Sequence, residues 1–209
     1  MTRKIIILLL VCIPFVGFAQ SKNVNKKYMQ GAVTVKNGMV EFEKTYEDKR
    51  KSKNEIYNLL LVYAQKLVKS ENQLQQSRIT EENASEGLIS LSMEENLYFK
   101  KGKWTTDATR FFYQLIIRVN EGSFTVTMRR IRYIYDEERK PGGIMYNAES
   151  WITDQASINK KGTGLLKLCG KFRCKTIDRK NELFRNAAIS VRGERKVVRQ
   201  ILVKEEDED

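Results

Sequence analysis

The sequence predicts an α+β domain, a two-layer sandwich in which two helices pack on an antiparallel meander sheet. Three observations carry that prediction. Alternating residues flank Asn37-Gly38, apolar residues recur at helical spacing between residues 56 and 67, and residues 73–137 run with period two between short glycine-containing turns. The length of 209 residues, with two prolines and three cysteines, suits one ordinary soluble domain.

In chain order, Ala32-Val33-Thr34-Val35-Lys36 and Val40-Glu41-Phe42-Glu43 are the arms of a hairpin. Asn37-Gly38 suits a type I′ turn because both central positions need positive φ. Ser52 and Glu55 then make a capping-box pattern, followed by Ile56, Leu59, Leu60, Tyr63 and Leu67 on one helical face, to about Lys69. Three or four strands follow, divided at Ser85-Glu86-Gly87, Lys101-Gly102-Lys103 and Asn120-Glu121-Gly122. In the third, Phe111, Tyr113, Leu115, Ile117 and Val119 share a core face, with Arg110, Phe112, Gln114, Ile116 and Arg118 opposite. In the next, strict alternation groups Phe124, Val126 and Met128 with Arg130 and Arg132; neither face stays apolar, so a bulge or twist is expected at the far end. Pro141-Gly142-Gly143 ends the meander, and the segment to Lys175 reads as irregular with one short helix near residues 151–158. Thr176 or Asp178 can cap a second long helix with Leu183, Phe184, Ala187, Ala188 and Val191 as its apolar stripe.

The ends carry different information. Arg3 and Lys4 precede a 14-residue apolar run, residues 5–18, closed by Gly17-Phe18-Ala19-Gln20, the pattern of a signal peptide spanning residues 1–20. The run is shorter than the ~20 residues a membrane span needs. Periplasmic or secreted localisation is therefore expected, with no transmembrane span after cleavage. Residues 21–30 read as a flexible leader, 31–192 as the domain, and 193–209 as a charged disordered tail. Cleavage removes Arg3 and Lys4 and no acid, leaving 36 basic against 26 acidic side chains, net +10. That charge supports attraction to anionic partners, and export argues against nucleic acid as the partner.

The sequence has no histidine. This removes Ser-His-Asp and Cys-His nucleophile pairs and histidine-containing zinc sites. No metal site or cofactor is expected, since there is no EF-hand spacing and Lys161-Gly162-Thr163-Gly164 lacks the strand and ending of a phosphate loop. The pairs Glu81-Glu82, Glu94-Glu95 and Glu137-Glu138 read as solvated turns, because adjacent strand residues point to opposite faces. Cys169 and Cys174 remain after cleavage. A disulfide between them needs a turn, with Gly170 as the hinge, and the spacing leaves bridge and free thiols both open.

Four segments carry a family resemblance: Lys103-Trp104-Thr105-Thr106-Asp107-Ala108, Arg130-Ile131-Arg132-Tyr133, Trp151-Ile152-Thr153-Asp154, and Gly170-Lys171-Phe172-Arg173 followed by Lys175-Thr176-Ile177-Asp178. They resemble an exported family of Bacteroidetes-type bacteria known as domain of unknown function 4468. The resemblance spans about residues 31–191 and implies a TATA-binding-protein-like fold. It implies no activity and says nothing about DNA, since one fold hosts unrelated functions.

The candidate ligand site is a concave sheet face bearing Trp104, Asp107, Arg110, Arg130, Arg132 and Tyr133, where arginines grip an anion and aromatic rings stack on it. The plainer alternative for the same residues is a surface strand with cross-strand ion pairs and a Trp covering the sheet edge. Trp151 is expected to fill the gap between the irregular segment and the sheet. The functional expectation is a non-catalytic module for an anionic small molecule, glycan or lipid headgroup. An envelope interaction or assembly module is the alternative, and an enzyme comes last because no constellation singles out a nucleophile or base.

Overall fold

The computed structural model describes residues 26–102 and 106–193. The expected signal peptide, and the charged tail from residue 194, lie outside the described residues. The chain opens with a 3-10 turn, Lys26–Tyr28, then the hairpin β1 (Val35–Lys36) and β2 (Met39–Glu47). Asn37 and Gly38 take φ of 51° and 77°, the left-handed pair a type I′ turn requires. Helix α1 (Lys53–Leu67) begins with the full capping box: Ser52 Oγ accepts from the Glu55 amide and the Glu55 carboxylate accepts from the Ser52 amide. Strands β3 (Arg78–Asn83), β4 (Leu88–Lys101), β5 (Thr106–Asn120) and β6 (Ser123–Tyr135) form the meander. After it come β7 (Ile144–Asn147), the short helices α2 (Ala148–Trp151) and α3 (Asp154–Ser157), and α4 (Lys167–Arg192).

The strands pair in the order β1-β2-β6-β5-β4-β3, all antiparallel. β7 also pairs β6, over residues 132–135, beyond the stretch where β2 pairs it. One face of this sheet is covered by α1 and α4, and the core lies between: Phe42, Ile56, Leu60, Ile89, Leu91, Phe111, Leu115, Phe124, Met128 and Phe184 are all buried. Each such side chain contributes about 1.5–3 kcal/mol on burial. No element among the described residues covers the other face.

The bulge in β6 falls at Arg130. Phe112 opposes Arg132 while Gln114 opposes Arg129, so β6 has one residue more than β5 across this step, and Arg130 absorbs it at φ 54°. The extra residue inverts the alternation. Phe124, Val126 and Met128 face the core before it, and Ile131 and Tyr133 after it. Arg130 and Arg132 thereby leave the core face to which strict alternation assigns them.

Two readings of the chain are corrected. Residues 26–30 do not behave as a flexible leader. Tyr28 donates its hydroxyl to Asp178 at 2.8 Å, and the carbonyls of Tyr28 and Met29 both accept from Arg173 at 2.6 Å. The second helix begins at Lys167, not near Thr176 or Asp178, which sit inside it. Its first turn holds no acid and its N-cap, Leu166, offers no side-chain bond, so the usual start signals are absent. Gly170, the expected hinge, is helical. It is small because a Cβ there would lie 2.7 Å from Leu165 Cβ. Cys169 and Cys174 are therefore free thiols on one helix, five residues apart, where their side chains diverge. Burial pushes both thiols above their ordinary pKa, which makes them poor nucleophiles.

Candidate functional site

The sheet divides the predicted site residues between its two faces. Trp104 lies outside the described residues. Asp107 and Tyr133 face the helices. Tyr133 is fully buried, stacked on Phe111 at 5.4 Å and edge-on to Phe172 at 5.0 Å, with its hydroxyl 2.7 Å from Thr176 Oγ1. Asp107 accepts from Lys171 Nζ at 2.7 Å and from the Tyr135 hydroxyl at 3.0 Å. Lys171 also lies 4.4 Å from the rings of Phe99 and Tyr135. Burial pulls the Lys171 ammonium down, and its bonds to Asp107 and Tyr135 outweigh that and hold it above the usual lysine range. These residues close a corner of the core and cannot share a ligand with the open face.

Arg110 and Arg132 are brought together on the open face, with Arg130 at the bulge beside them. Both guanidinium groups stand 5.4 Å from the ring of Phe112, a residue sequence reasoning had placed on the mixed face without a role. Arg110 is tied down: its Nε donates to Glu94 Oε1 at 3.0 Å and its Nη1 to Glu137 Oε1 at 3.1 Å. Arg118, Arg130 and Arg132 are exposed, Arg129 is half-buried, and none of the four makes an ion pair among the described residues. A ladder of polar side chains continues across the face. Arg129 Nε donates to Gln114 at 3.0 Å, Gln114 to Ser90 Oγ at 3.2 Å, and Thr127 to Glu43 at 3.1 Å. The face thus presents guanidinium donors around one aromatic ring, a chemistry suited to carboxylate, sulfate or phosphate oxygens.

The pair Glu94-Glu95 is not a solvated turn. Both residues lie in the middle of β4, pointing to opposite faces, and both are buried. Each is neutralised by an arginine that sequence reasoning could not pair with it: Glu94 by Arg110 on the open face, Glu95 by Arg179 of α4 through two bonds of 2.8 and 2.7 Å. Arg173, also missed, is fully buried. Its Nη1 donates to Ile152 O at 2.7 Å and its Nη2 to Asp154 at 2.7 Å, so with its bonds to Tyr28 and Met29 it ties the N-terminal turn, the α2–α3 segment and α4 to one point. Trp151 fills the expected gap, stacked on Tyr146 at 4.0 Å. Among the described residues no three Cys, Asp or Glu side chains converge in a way that could hold a metal ion, and no helix is long and apolar enough to cross a membrane.

An antiparallel sheet with helices on one face and an open face opposite defines an α+β sandwich of the TATA-binding-protein-like class. Residues 42–134 match the family described as a domain of unknown function (DUF4468) with TBP-like fold. A DUF4468 family protein from Bacteroides ovatus is similar in structure at 29% identity and a TM-score of 0.74, over 81% of this chain and 95% of that one. A TBP-like protein from Parabacteroides distasonis shares the fold at 23% identity and a TM-score of 0.62, over 76% of this chain and 96% of that one. No curated protein matches the chain.

Proposed function

We propose that the domain is an exported, non-catalytic binding module that holds an anionic ligand on the open face of its sheet. The observation that carries this reading is the group formed by Phe112 with the Arg110 and Arg132 guanidinium groups, of which Arg132 is exposed and without a carboxylate among the described residues. Arg110 is held in place by Glu94 and Glu137, so it serves as a fixed wall. Arg132 and Arg130 supply the donors that a ligand engages. The shared ligand chemistry is an anionic oxygen cluster, whether on a small molecule, an acidic glycan or a lipid headgroup. Edge-to-edge assembly through β3 is disfavoured, because that edge carries Glu81 and Glu82 and breaks register between Ile79 and Glu81.

Export rests on the basic residues Arg3 and Lys4 before the apolar run 5–18. N-terminal sequencing of the natural product should begin after Ala19 or Gln20, and an intact Met1 would remove the export reading. Binding is tested by titrating the protein with inorganic phosphate, polygalacturonate, phosphatidylglycerol vesicles and duplex DNA. At least one of the first three should bind, weaken with salt, and lose about tenfold in affinity on Arg132→Ala or Arg130→Ala, the loss of one charge-assisted contact. Unchanged binding in both variants, or a preference for the duplex, overturns the proposal.

A further inference from the structure

The open face carries its arginines in a single row. Arg110 and Arg118 of β5 point to this face, and the register with β6 sets Arg129 level with Gln114 and Arg132 level with Phe112. At about 3.4 Å per residue, the row from the level of Arg118 to that of Arg132 is about 20 Å long and runs parallel to the strands. Arg110, at its end, is held by Glu94 and Glu137, whereas Arg118, Arg129 and Arg132 make no ion pair among the described residues.

The row is narrow. On β2 the register sets Glu41 level with Arg129 and Glu43 level with Thr127, so two carboxylates stand beside it on the same face, with Lys36 at 3.2 and 3.1 Å from them. On the far side, β3 sets Glu81 against Arg78 on this face, through their pairing with Ser90 and Ser92, so the positive charge does not spread beyond β4. β4 itself, apart from the Glu94 that Arg110 neutralises, offers uncharged groups. Ser92 lies level with Gln114 and Asn96 with Arg110. Both are half-buried, and neither side chain makes a hydrogen bond among the described residues.

We propose that the ligand of the open face is a linear acidic polysaccharide of the polyuronate type, lying along β5 and β6 and meeting several arginines at once; this rests on the sheet-face reading and narrows it. Three features select that class. The free arginines stand four and two residues apart along the row, about 14 and 7 Å, which matches a chain whose carboxylates, one to a ring, are separated by uncharged atoms, and not a polyphosphate with charge on every small repeat. A row bounded by carboxylates suits one chain, because a bilayer of anionic headgroups would also press against Glu41, Glu43 and Glu81. The Ser92 hydroxyl and the Asn96 amide beside the row can pair with sugar hydroxyls, which a phosphate chain lacks. Once one carboxylate is held, the next arginine meets its partner at high effective concentration, so the contacts reinforce one another.

The test is calorimetric titration of the full chain with the galacturonate trimer and hexamer, with inorganic polyphosphate, inorganic phosphate and phosphatidylglycerol vesicles as competing anions. The hexamer, which outreaches the row, should bind about tenfold more tightly than the trimer. Most of that gain should vanish in Arg118→Ala, which shortens the row; Arg118 is exposed, so this variant keeps the fold. Replacing Ser92 and Asn96 together by alanine should weaken the hexamer about tenfold, the loss of two hydrogen bonds. No binding of the hexamer, a gain undiminished in Arg118→Ala, unchanged affinity in the Ser92→Ala, Asn96→Ala pair, or tighter binding of polyphosphate or the vesicles overturns the proposal. Phosphate or vesicle binding that is lost in Arg132→Ala, with no binding of the hexamer, would overturn the polysaccharide and leave the sheet-face reading standing; absence of binding to every anion would end both.

Discussion

The two faces of the sheet use charge in opposite ways. On the helix-covered face every described arginine or carboxylate that is buried is closed off: Arg173 reaches three carbonyls and Asp154, and Glu95 is gripped at both oxygens by Arg179. On the open face Arg110 is paired in the same manner, but Arg118, Arg129, Arg130 and Arg132 have no carboxylate among the described residues. The contrast is condensed into one peptide unit, where Glu94 and Glu95 look in opposite directions. A charge deprived of water must be paired or it costs several kcal/mol, so the covered face has no freedom to bind with its buried charges. The open face has no element over it among the described residues, and Arg118, Arg130 and Arg132 on it are exposed to water.

The largest test of this contrast is Arg173→Ala. It leaves the carbonyls of Tyr28, Met29 and Ile152 without their donor, while Asp154, 35% exposed, keeps water and the Gly31 amide, so the loss of three bonds to a buried guanidinium should cost about 3–5 kcal/mol. Thermal unfolding should shift down by about 10 °C for a domain of this size. A shift of only a degree or two would mean that the N-terminal turn and α3 are held elsewhere.

The next test compares the neighbouring glutamates. Glu95→Gln leaves the Arg179 guanidinium, with a side chain only 14% exposed, facing a neutral amide, and should cost about 3 kcal/mol in urea unfolding. Glu94→Gln should cost about 1 kcal/mol, because Arg110 is 36% exposed and keeps Glu137. Equal costs would erase the distinction between the faces.

Alkaline titration sharpens it further. Burial pushes the Tyr46 hydroxyl up to about 12, against an opposing pull from Arg192, and burial raises Tyr63, Tyr113 and Tyr133 in the same direction. An unfolded tyrosine ionises near pH 10. Between those values the folded chain binds more protons than the unfolded one, so the stability that Tyr46 contributes is fully present below pH 10 and is lost as pH rises toward 12. The phenolate absorbance of the covered tyrosines should appear only together with loss of the folded circular dichroism signal. Ionisation near pH 10 without unfolding would show the covered face to be wet.

How much of this was legible follows from where the information resides. The Asn37-Gly38 turn, the Ser52-Glu55 box and the period of β5 are local, and each appears in the structure where the residues place it. Ser52→Ala should therefore cost about 1 kcal/mol, measurable by chemical unfolding, and a neutral result would mean that tertiary packing alone fixes the start of α1. The start of α4 was illegible because Leu166 is no cap and Gly170 mimics a break. Its glycine answers to Leu165, a contact local spacing does not reveal. β7 was missed because four residues carry too little periodicity to register. Of the residues expected to share one face, Arg110 and Arg132 lie together on the open face, but Tyr133, grouped with them, lies in the core. A one-residue bulge at Arg130 exchanges faces, and alternation cannot say where a strand will bulge. The pairings Glu94–Arg110 and Glu95–Arg179 join residues 16 and 84 positions apart, which only the fold brings together.

The smallest effect on stability is expected where the effect on function is largest. Arg132→Ala removes an exposed side chain whose described contact is the face of Phe112, so unfolding should change by no more than about 0.5 kcal/mol while anion binding drops about tenfold. Arg132→Lys separates charge from shape. Lysine keeps the positive charge but loses the planar fork that lies over the ring and meets two anionic oxygens at once, so it should restore little of the binding if geometry governs and most of it if the face acts only through its field. Full binding in both variants, with stability unchanged, would leave the open face as a solvated surface, and the difference between the two sides of the sheet would then be one of hydration alone.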